Sequence, residues 1–153
     1  MINLEEEKKE VYEHLQGFCI NNIKNEDKSN QFCGSLCLSR LIENCPMILS
    51  NTYMKYIWEH ISSFIVKINY QAKSELLDAL ISLIFAAEGQ FKPFATVTLY
   101  KILDFLTDQD WIKRKLAVDI IYTLSNYCSQ EIYPLKSHII EFLSVLKTDK
   151  VYN

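Results

Sequence analysis

Pairs of adjacent apolar residues recur along this chain, and their recurrence is what most constrains its fold. They occur at Phe32-Cys33 with Leu36-Cys37, at Leu76-Leu77 with Leu80-Ile81, and at Leu116-Ala117 with Ile120-Ile121. Each pair is followed one helical turn later by a second pair, which is typical of one buried helix face. The sets are about 44 and 40 residues apart, a step typical of repeats built from two or three helices. The pattern predicts stacked helical hairpins.

Composition supports helices throughout. The 153 residues are 49% hydrophobic, enough for one sizeable core, and include three Gly and three Pro, too few for the turns of a β-sandwich. We predict an all-α fold of about seven helices, a right-handed superhelical solenoid of three and a half HEAT-like repeats. It should form a single domain over residues 1–153. Because residues 149–153 look like the entry to another helix, we expect a piece of a longer array.

Caps, prolines and apolar spacing predict the helix limits. Val11, Leu15, Phe18 and Cys19 place a first helix at about residues 4–23, and the second should stop near Cys45 because Pro46 cannot continue it. Asn51 can cap the third helix, whose apolar stripe runs to Ile68, and Gly89 should end the fourth. Pro93 and Pro134 should open the fifth and seventh. The even helices should begin near Lys28, Gln71 and Gln109.

Five cysteines without paired CxxC spacing indicate free thiols in a reducing compartment, the cytoplasm or the nucleus, and of these we predict the cytoplasm. Cys33 and Cys37 lie one turn apart and can in principle share a metal. Each also sits beside an apolar partner, so we interpret both as core residues. No signal sequence or membrane span is indicated, and no cofactor or metal site is predicted.

The most specific segment is Leu106-Thr-Asp-Gln-Asp-Trp111 with Arg114-Lys115 and Ala117, followed by Asp149-Lys150-Val151. Asp108 and Asp110 can cap the helix that follows, and the small Ala117 admits a close helix. The segment is similar to the N-terminal helical-repeat domain of the plant Tortifolia/Spiral family of microtubule-associated proteins. That resemblance implies a domain related to the TOG type, in which turns within successive repeats meet tubulin. Asn30 and Ser74 stand at the position of Arg114 in the first two repeats.

Eight residues around the turns within the repeats are candidate partner contacts: Lys24, Lys28, Lys67, Lys73, Trp111, Lys113, Arg114 and Lys115. Stacked repeats would bring the lysines onto one basic edge that attracts an acidic partner, although each lysine also fits a solvated face. Arg114 fits either an ion pair with an Asp of its own or the neighbouring turn, or a ligand contact. Trp111 fits either a packed helix entry or a binding anchor.

Catalytic signatures are missing from the sequence. His14, His60 and His138 are scattered, and neither a Gly-rich phosphate loop nor HExxH spacing occurs, so we predict that the protein is not an enzyme. A net charge of −3 argues against general nucleic-acid binding. Two functions remain, a domain that binds tubulin or microtubules and a HEAT scaffold that holds another protein or peptide. The oligomeric state is left open.

Overall fold

The structure, a computed structural model, describes residues 4–46 and 51–146. Its helices are α1 (Leu4–Ile23), α2 (Lys28–Asn44), α3 (Asn51–Phe64), α4 (Lys73–Ala87), α5 (Lys92–Ile102), α6 (Trp111–Tyr127), α7 (Ser129–Ile132) and α8 (Lys136–Leu146). Short 3-10 segments occupy Glu88–Phe91, Leu103–Thr107 and Tyr133–Leu135. Within these ranges there is no β-strand, and the prediction of an all-α chain is confirmed. None of the described helices is long and apolar enough to cross a membrane.

The chain divides into two compact units, Met1–Ala86 and Ala87–Asn153. In the first, α1 packs along α2, and side chains of α2 bond to α4. In the second, α5 and α6 pack with the 3-10 segment Leu103–Thr107 between them. The single domain over residues 1–153 and its right-handed superhelix stay predictions. The expected helix entry at residues 149–153 lies outside the described residues.

The helix limits follow the predicted signals closely. Helix α2 begins after Asp27 and ends at Asn44, where the Cys45 amide donates to the Leu41 carbonyl at 3.0 Å. The even helices begin at Lys28, Lys73 and Trp111, each within two residues of the prediction. Pro93 lies in the first turn of α5, where its missing N–H costs no hydrogen bond. The side chain of Asn51, the expected cap of α3, lies outside the described part.

Three details of the predicted limits were wrong. Helix α3 ends at Phe64, so Ile68 does not continue its apolar stripe and is instead 92% exposed. Glu88, not Gly89, takes the left-handed backbone conformation after α4, with φ of 48°. The short helix α7 was not predicted, whereas α8 begins at Lys136, two residues after Pro134, which lies in a 3-10 turn.

The buried face of the first hairpin also differs from the predicted stripe. On α1 the exposed residues include Val11, Leu15 and Phe18. Its buried residues are Tyr12, Gln16, Cys19, Ile20 and Ile23. On α2 the buried set is Gln31, Gly34, Ser35, Leu38, Ser39 and Ile42. The apolar pattern misplaced this face because half of the buried α2 positions are polar side chains, which pack here through hydrogen bonds.

Cys33 and Cys37 are both exposed, so the prediction that they pack in the core was wrong. They lie on the opposite side of α2 from Leu38 and Ile42, which are fully buried. Their sulfur atoms are 4.0 Å apart. The other described cysteines divide into Cys19 and Cys128, which are buried, and Cys45, which is half-buried.

Gly34 sets the distance between α1 and α2. A Cβ atom added there would lie 2.7 Å from the Asn22 Cβ, from the Cys19 carbonyl oxygen and from the Ile23 amide nitrogen. Two of these three atoms belong to the α1 backbone, which cannot move aside as a flexible side chain can. Hence the two helices can cross this closely only because residue 34 has no side chain. Ala117 on α6, where a close helix was predicted, is fully buried.

Candidate functional site

Three turns that join consecutive helices carry the predicted contact residues. The first turn, residues 24–27, joins α1 to α2, and the second turn, residues 65–72, joins α3 to α4. Both belong to the first compact unit. The third turn, residues 108–110, leads into α6 in the second unit.

The first turn is fixed by side-chain caps. The Asp27 carboxylate accepts the Asn30 amide at 3.0 Å and so satisfies one of the free N–H groups at the start of α2. The Asn25 side chain accepts the Asp27 amide at 2.8 Å. Lys24 and Lys28 stand exposed on either side of these caps. The Lys28 ammonium lies 5.5 Å from the centre of the Phe32 ring.

Gln31 links the first turn to the second. Its amide nitrogen donates to the Asn25 carbonyl of the first turn at 2.8 Å. Its amide oxygen accepts the backbone N–H of Gln71 in the second turn at 3.1 Å. Only 7% of Gln31 is exposed, and buried hydrogen bonds are costly to break. The two turns are therefore held beside each other by one side chain.

The second turn exposes one lysine and apolar side chains at its tip, and aromatic rings pack beneath them. Tyr70 is buried beneath it, with its hydroxyl 3.1 Å from the Ser35 hydroxyl, and burial raises the Tyr70 pKa. The Phe64 ring meets Tyr70 edge-on, and the Lys67 ammonium lies 3.9 Å from the centre of the Phe64 ring. Beyond them Val66 and Ile68 are exposed. This contact restricts Lys67 while leaving it facing solvent.

The third turn is held by two aspartates and one arginine. Asp110 caps α6 by accepting the Ile112 amide at 2.9 Å, and Asp108 accepts the Asp110 amide at 2.8 Å. Arg114 donates from one nitrogen, Nη1, to the carbonyl oxygens of Asp108 at 2.8 Å and Gln109 at 2.9 Å. Only 9% of Arg114 is exposed. The guanidinium thus supports the shape of the turn from within.

Gln31 and Arg114 occupy equivalent places in the first and third repeats. Each lies one helical turn after its capping aspartate, Asp27 or Asp110, and each donates to a carbonyl of the preceding turn. The residue equivalent to Arg114 in the first repeat is therefore Gln31, one position beyond Asn30. The apolar pairs alone aligned the first repeat wrongly, because that alignment counted Cys33 and Cys37 as buried, whereas both face solvent.

The lysines of the third turn form ion pairs with neighbouring aspartates. Lys113 lies 3.7 Å from Asp108 and 3.9 Å from Asp110. Lys115 lies 2.6 Å from Asp119, as expected from their spacing of one turn. Trp111 is 48% exposed at the first position of α6, with Ile112 beside it at 43%. The surface of this turn is therefore aromatic and apolar, and its positive charge is compensated.

The structure thus brings together Lys24, Lys28, Lys67 and Lys73 around the two linked turns of the first unit. Trp111, Lys113, Arg114 and Lys115 surround the third turn in the second unit. Reasoning from sequence missed Ile68, which it had assigned to a helix, and the linking role of Gln31. The run Lys67-Ile68-Asn69 between two apolar stripes was the available signal for an exposed tip. The described residues contain no group of three or more metal-binding side chains.

Comparison with known proteins identifies the family of the chain. The family model described as TORTIFOLIA1 N-terminal matches residues 3–153, nearly the whole chain. A search of curated proteins found no significant match. The match extends the resemblance, predicted mainly from residues 103–151, to the first two repeats. The chain belongs to the TORTIFOLIA1 N-terminal family, and this membership indicates a microtubule-associated protein.

Proposed function

We propose that this domain binds tubulin, without catalysing a reaction, through the turns within its repeats, and that it acts in the cytoplasm on microtubules. The first and second turns form the main contact and Trp111 of the third turn adds a second one. Membership of the TORTIFOLIA1 N-terminal family supports the class of partner. The geometry of the turns supports the place of contact.

The link through Gln31 is the observation that carries the proposal. It holds the first turn, flanked by Lys24 and Lys28, beside the second turn with Lys67 and the exposed Ile68, and these two linked turns are the proposed contact edge. A rigid edge loses little conformational entropy on binding, which favours affinity. The second turn has no acidic residue between positions 65 and 72, so its charge is not compensated within the turn. The first turn also contains Glu26 and Asp27, so the positive charge that suits an acidic protein surface, as tubulin presents, is that of the second turn.

The third turn contributes in another way. Because Lys113 and Lys115 pair with carboxylates, charge attraction is weak there. Trp111 instead offers a large exposed ring, and tryptophan is the side chain most enriched at binding anchors. Arg114 is buried, so we assign it the support of the turn and not direct contact.

A microtubule co-sedimentation assay over a range of salt concentrations tests the proposal. The double variant Lys24→Glu/Lys67→Glu should weaken binding at least tenfold at low salt and flatten its salt dependence, since it reverses charges on the contact edge. Both lysines are exposed, so the fold should be unchanged. Circular dichroism and the urea midpoint check this.

The matched control is Lys8→Glu/Lys55→Glu, which makes the same change in net charge near the opposite ends of α1 and α3. Lys8 lies about 24 Å along the helix from Lys24, at 1.5 Å per residue. The control should bind almost as well as the wild-type domain. Equal losses in the two variants would show that the attraction is non-specific. Absence of wild-type binding at low salt would overturn the proposal.

A second candidate function is scaffolding, favoured by the exposed stripe of Val11, Leu15 and Phe18 on α1. These residues are spaced for one helix face, as in docking surfaces for a partner helix. Leu15→Glu/Phe18→Glu should leave microtubule binding intact if the turns are the site. Loss of microtubule binding in this variant, with the turn variant unaffected, would place the microtubule contact on α1. A wild-type domain that does not bind microtubules would favour the scaffold.

A further inference from the structure

The exposed thiols of Cys33 and Cys37 form a surface feature that the proposed function does not use. They lie on the solvent-facing side of α2, one helical turn apart, with their sulfur atoms 4.0 Å from each other. Free cysteine is among the side chains most often buried in proteins. Two neighbouring thiols that both face solvent are therefore unusual and indicate a chemical role.

A disulfide fits this geometry poorly. Residues one turn apart on a helix have Cβ atoms about 5–6 Å apart, whereas a disulfide draws its Cβ atoms to about 3.8 Å. Closing the bond would require α2 to bend. Both residues lie in the middle of a regular helix that runs from Lys28 to Asn44. The pair is thus better suited to holding an atom between the sulfurs than to bonding them directly.

One metal ion can reach both sulfurs. Two metal–sulfur bonds of about 2.3 Å, the zinc–thiolate length, span up to about 4.6 Å, which exceeds the observed 4.0 Å separation. Zinc is held by three or four protein ligands and iron–sulfur clusters by four. The described residues offer no group of three or more metal-binding side chains. Copper(I) differs, because it is soft, prefers thiolates and is satisfied by two sulfur ligands.

We propose that Cys33 and Cys37 form a two-coordinate site for copper(I) on the outer face of α2. Each thiol releases one proton and each sulfur gives an electron pair to the ion, so a bis-thiolate complex of charge −1 forms. Copper remains in the +1 state and no oxidant or reductant is consumed. The site lies on the opposite side of the helix from Gln31, so it is separate from the linked turns.

The test is an anaerobic titration of the whole chain with copper(I) held by the chromophoric chelator bicinchoninate. The wild-type protein should take one copper ion per chain and keep the size-exclusion elution volume of the metal-free protein. Cys33→Ser and Cys37→Ser should each lower the affinity about a hundredfold or more, because the second thiolate then no longer acts intramolecularly. Circular dichroism should show both variants folded, since the replaced side chains are exposed.

Cys45→Ser is the matched control, because it removes a half-buried thiol that is not part of the pair. It should leave the copper affinity unchanged. The proposal is overturned if the wild-type chain does not compete with the chelator. It is equally overturned if affinity depends on Cys45 instead of the pair, or if one copper ion bridges two chains.

Discussion

At the scale of single residues, Gly34 controls how α1 and α2 pack. Alanine is about 1 kcal/mol better than glycine in a helix interior, yet a Cβ at residue 34 would meet three atoms at 2.7 Å. The clash involves backbone atoms of α1, so relief requires the helices to separate. We expect Gly34→Ala to destabilise the protein by about 1–3 kcal/mol, the usual cost of overpacking.

Gly17 provides the comparison for this prediction. It lies on the same hairpin, but a Cβ added there would meet nothing within 4 Å. Gly17→Ala should therefore stabilise the protein by about 0.5–1 kcal/mol through helix propensity alone. Urea unfolding at neutral pH measures both variants. A Gly34→Ala protein as stable as the wild type would show that the helices can shift without cost.

Arg114 stabilises the third turn, a role that could not be inferred from its charge alone. It donates to two carbonyl oxygens of the third turn from a buried position. Hydrogen bonds from charged groups contribute about 1.5–3 kcal/mol each, so we expect Arg114→Leu to lower the free energy of unfolding by at least that much. Lys115→Ala, which removes an exposed ion pair, should cost less than about 1 kcal/mol. Thermal and urea unfolding distinguish the two. A small loss in Arg114→Leu would show that the turn keeps its shape without the guanidinium.

At the scale of elements, most helix ends were predictable, and so were the buried faces of α4 and α6, but the faces of α1 and α2 were not. Ends depend on local chemistry, such as the cap at Asp110 or the stop at Pro46, which is visible in a few neighbouring residues. Which face of a helix is buried depends on the segment that packs against it. Buried Gln31, Ser35 and Ser39 each have a hydrogen-bond partner in a distant segment, so no local pattern marks them as core.

The same contrast applies to the candidate site. Its lysines and Trp111 could be predicted from their recurrence beside turns, because turns lie at the surface. The link between the first and second turns could not, since residues 31 and 71 are forty positions apart. Ile68 was assigned to a helix because it continues the apolar spacing of α3. The helix instead ends at Phe64, where Lys67 and Tyr70 pack around the aromatic ring.

The linked turns give a prediction at this scale. Gln31→Leu removes both hydrogen bonds and leaves the Gln71 amide and the Asn25 carbonyl without this partner. The variant should lose about 1–3 kcal/mol of stability, the cost of unsatisfied buried groups. Hydrogen exchange at residues 65–72 should accelerate more than exchange in the middle of α4. Uniform acceleration over the whole unit would mean that Gln31 contributes general stability and does not hold the turns together.

At the scale of the whole molecule, buried ionisable groups occur in both compact units. Burial raises the pKa of Tyr12 to about 12 and of Cys19 to about 12 in the first unit, and of Cys128 to about 11 in the second. All three are nearly inaccessible to solvent. Each group is held in its neutral, protonated form by the fold, while the same group in the unfolded chain ionises earlier.

The sign of the resulting pH dependence follows from proton linkage. Above pH 9, the ordinary value for a thiol, the unfolded chain binds fewer protons than the native one, so stability falls as pH rises. The stability that the protonated thiols contribute is fully present below pH 9. It is lost as the pH rises toward the pKa values of these thiols in the folded protein. Each buried thiol should remove on the order of 1 kcal/mol per pH unit between pH 9 and 11, and Tyr12 should add to the loss above pH 10.

This dependence tests whether residues 1–153 form a single domain, because Cys19 and Cys128 report on different units. If the whole chain unfolds in one cooperative step, urea titrations under reducing conditions at pH 7.5, 9 and 10 will each show a single transition. Its alkaline loss of stability will then shrink in both Cys19→Ala and Cys128→Ala, by similar amounts. We expect this outcome, since each unit alone is small for an independent core. Two transitions, each altered by only one of the replacements, would instead mean that the units unfold separately, and the single-domain prediction would fail.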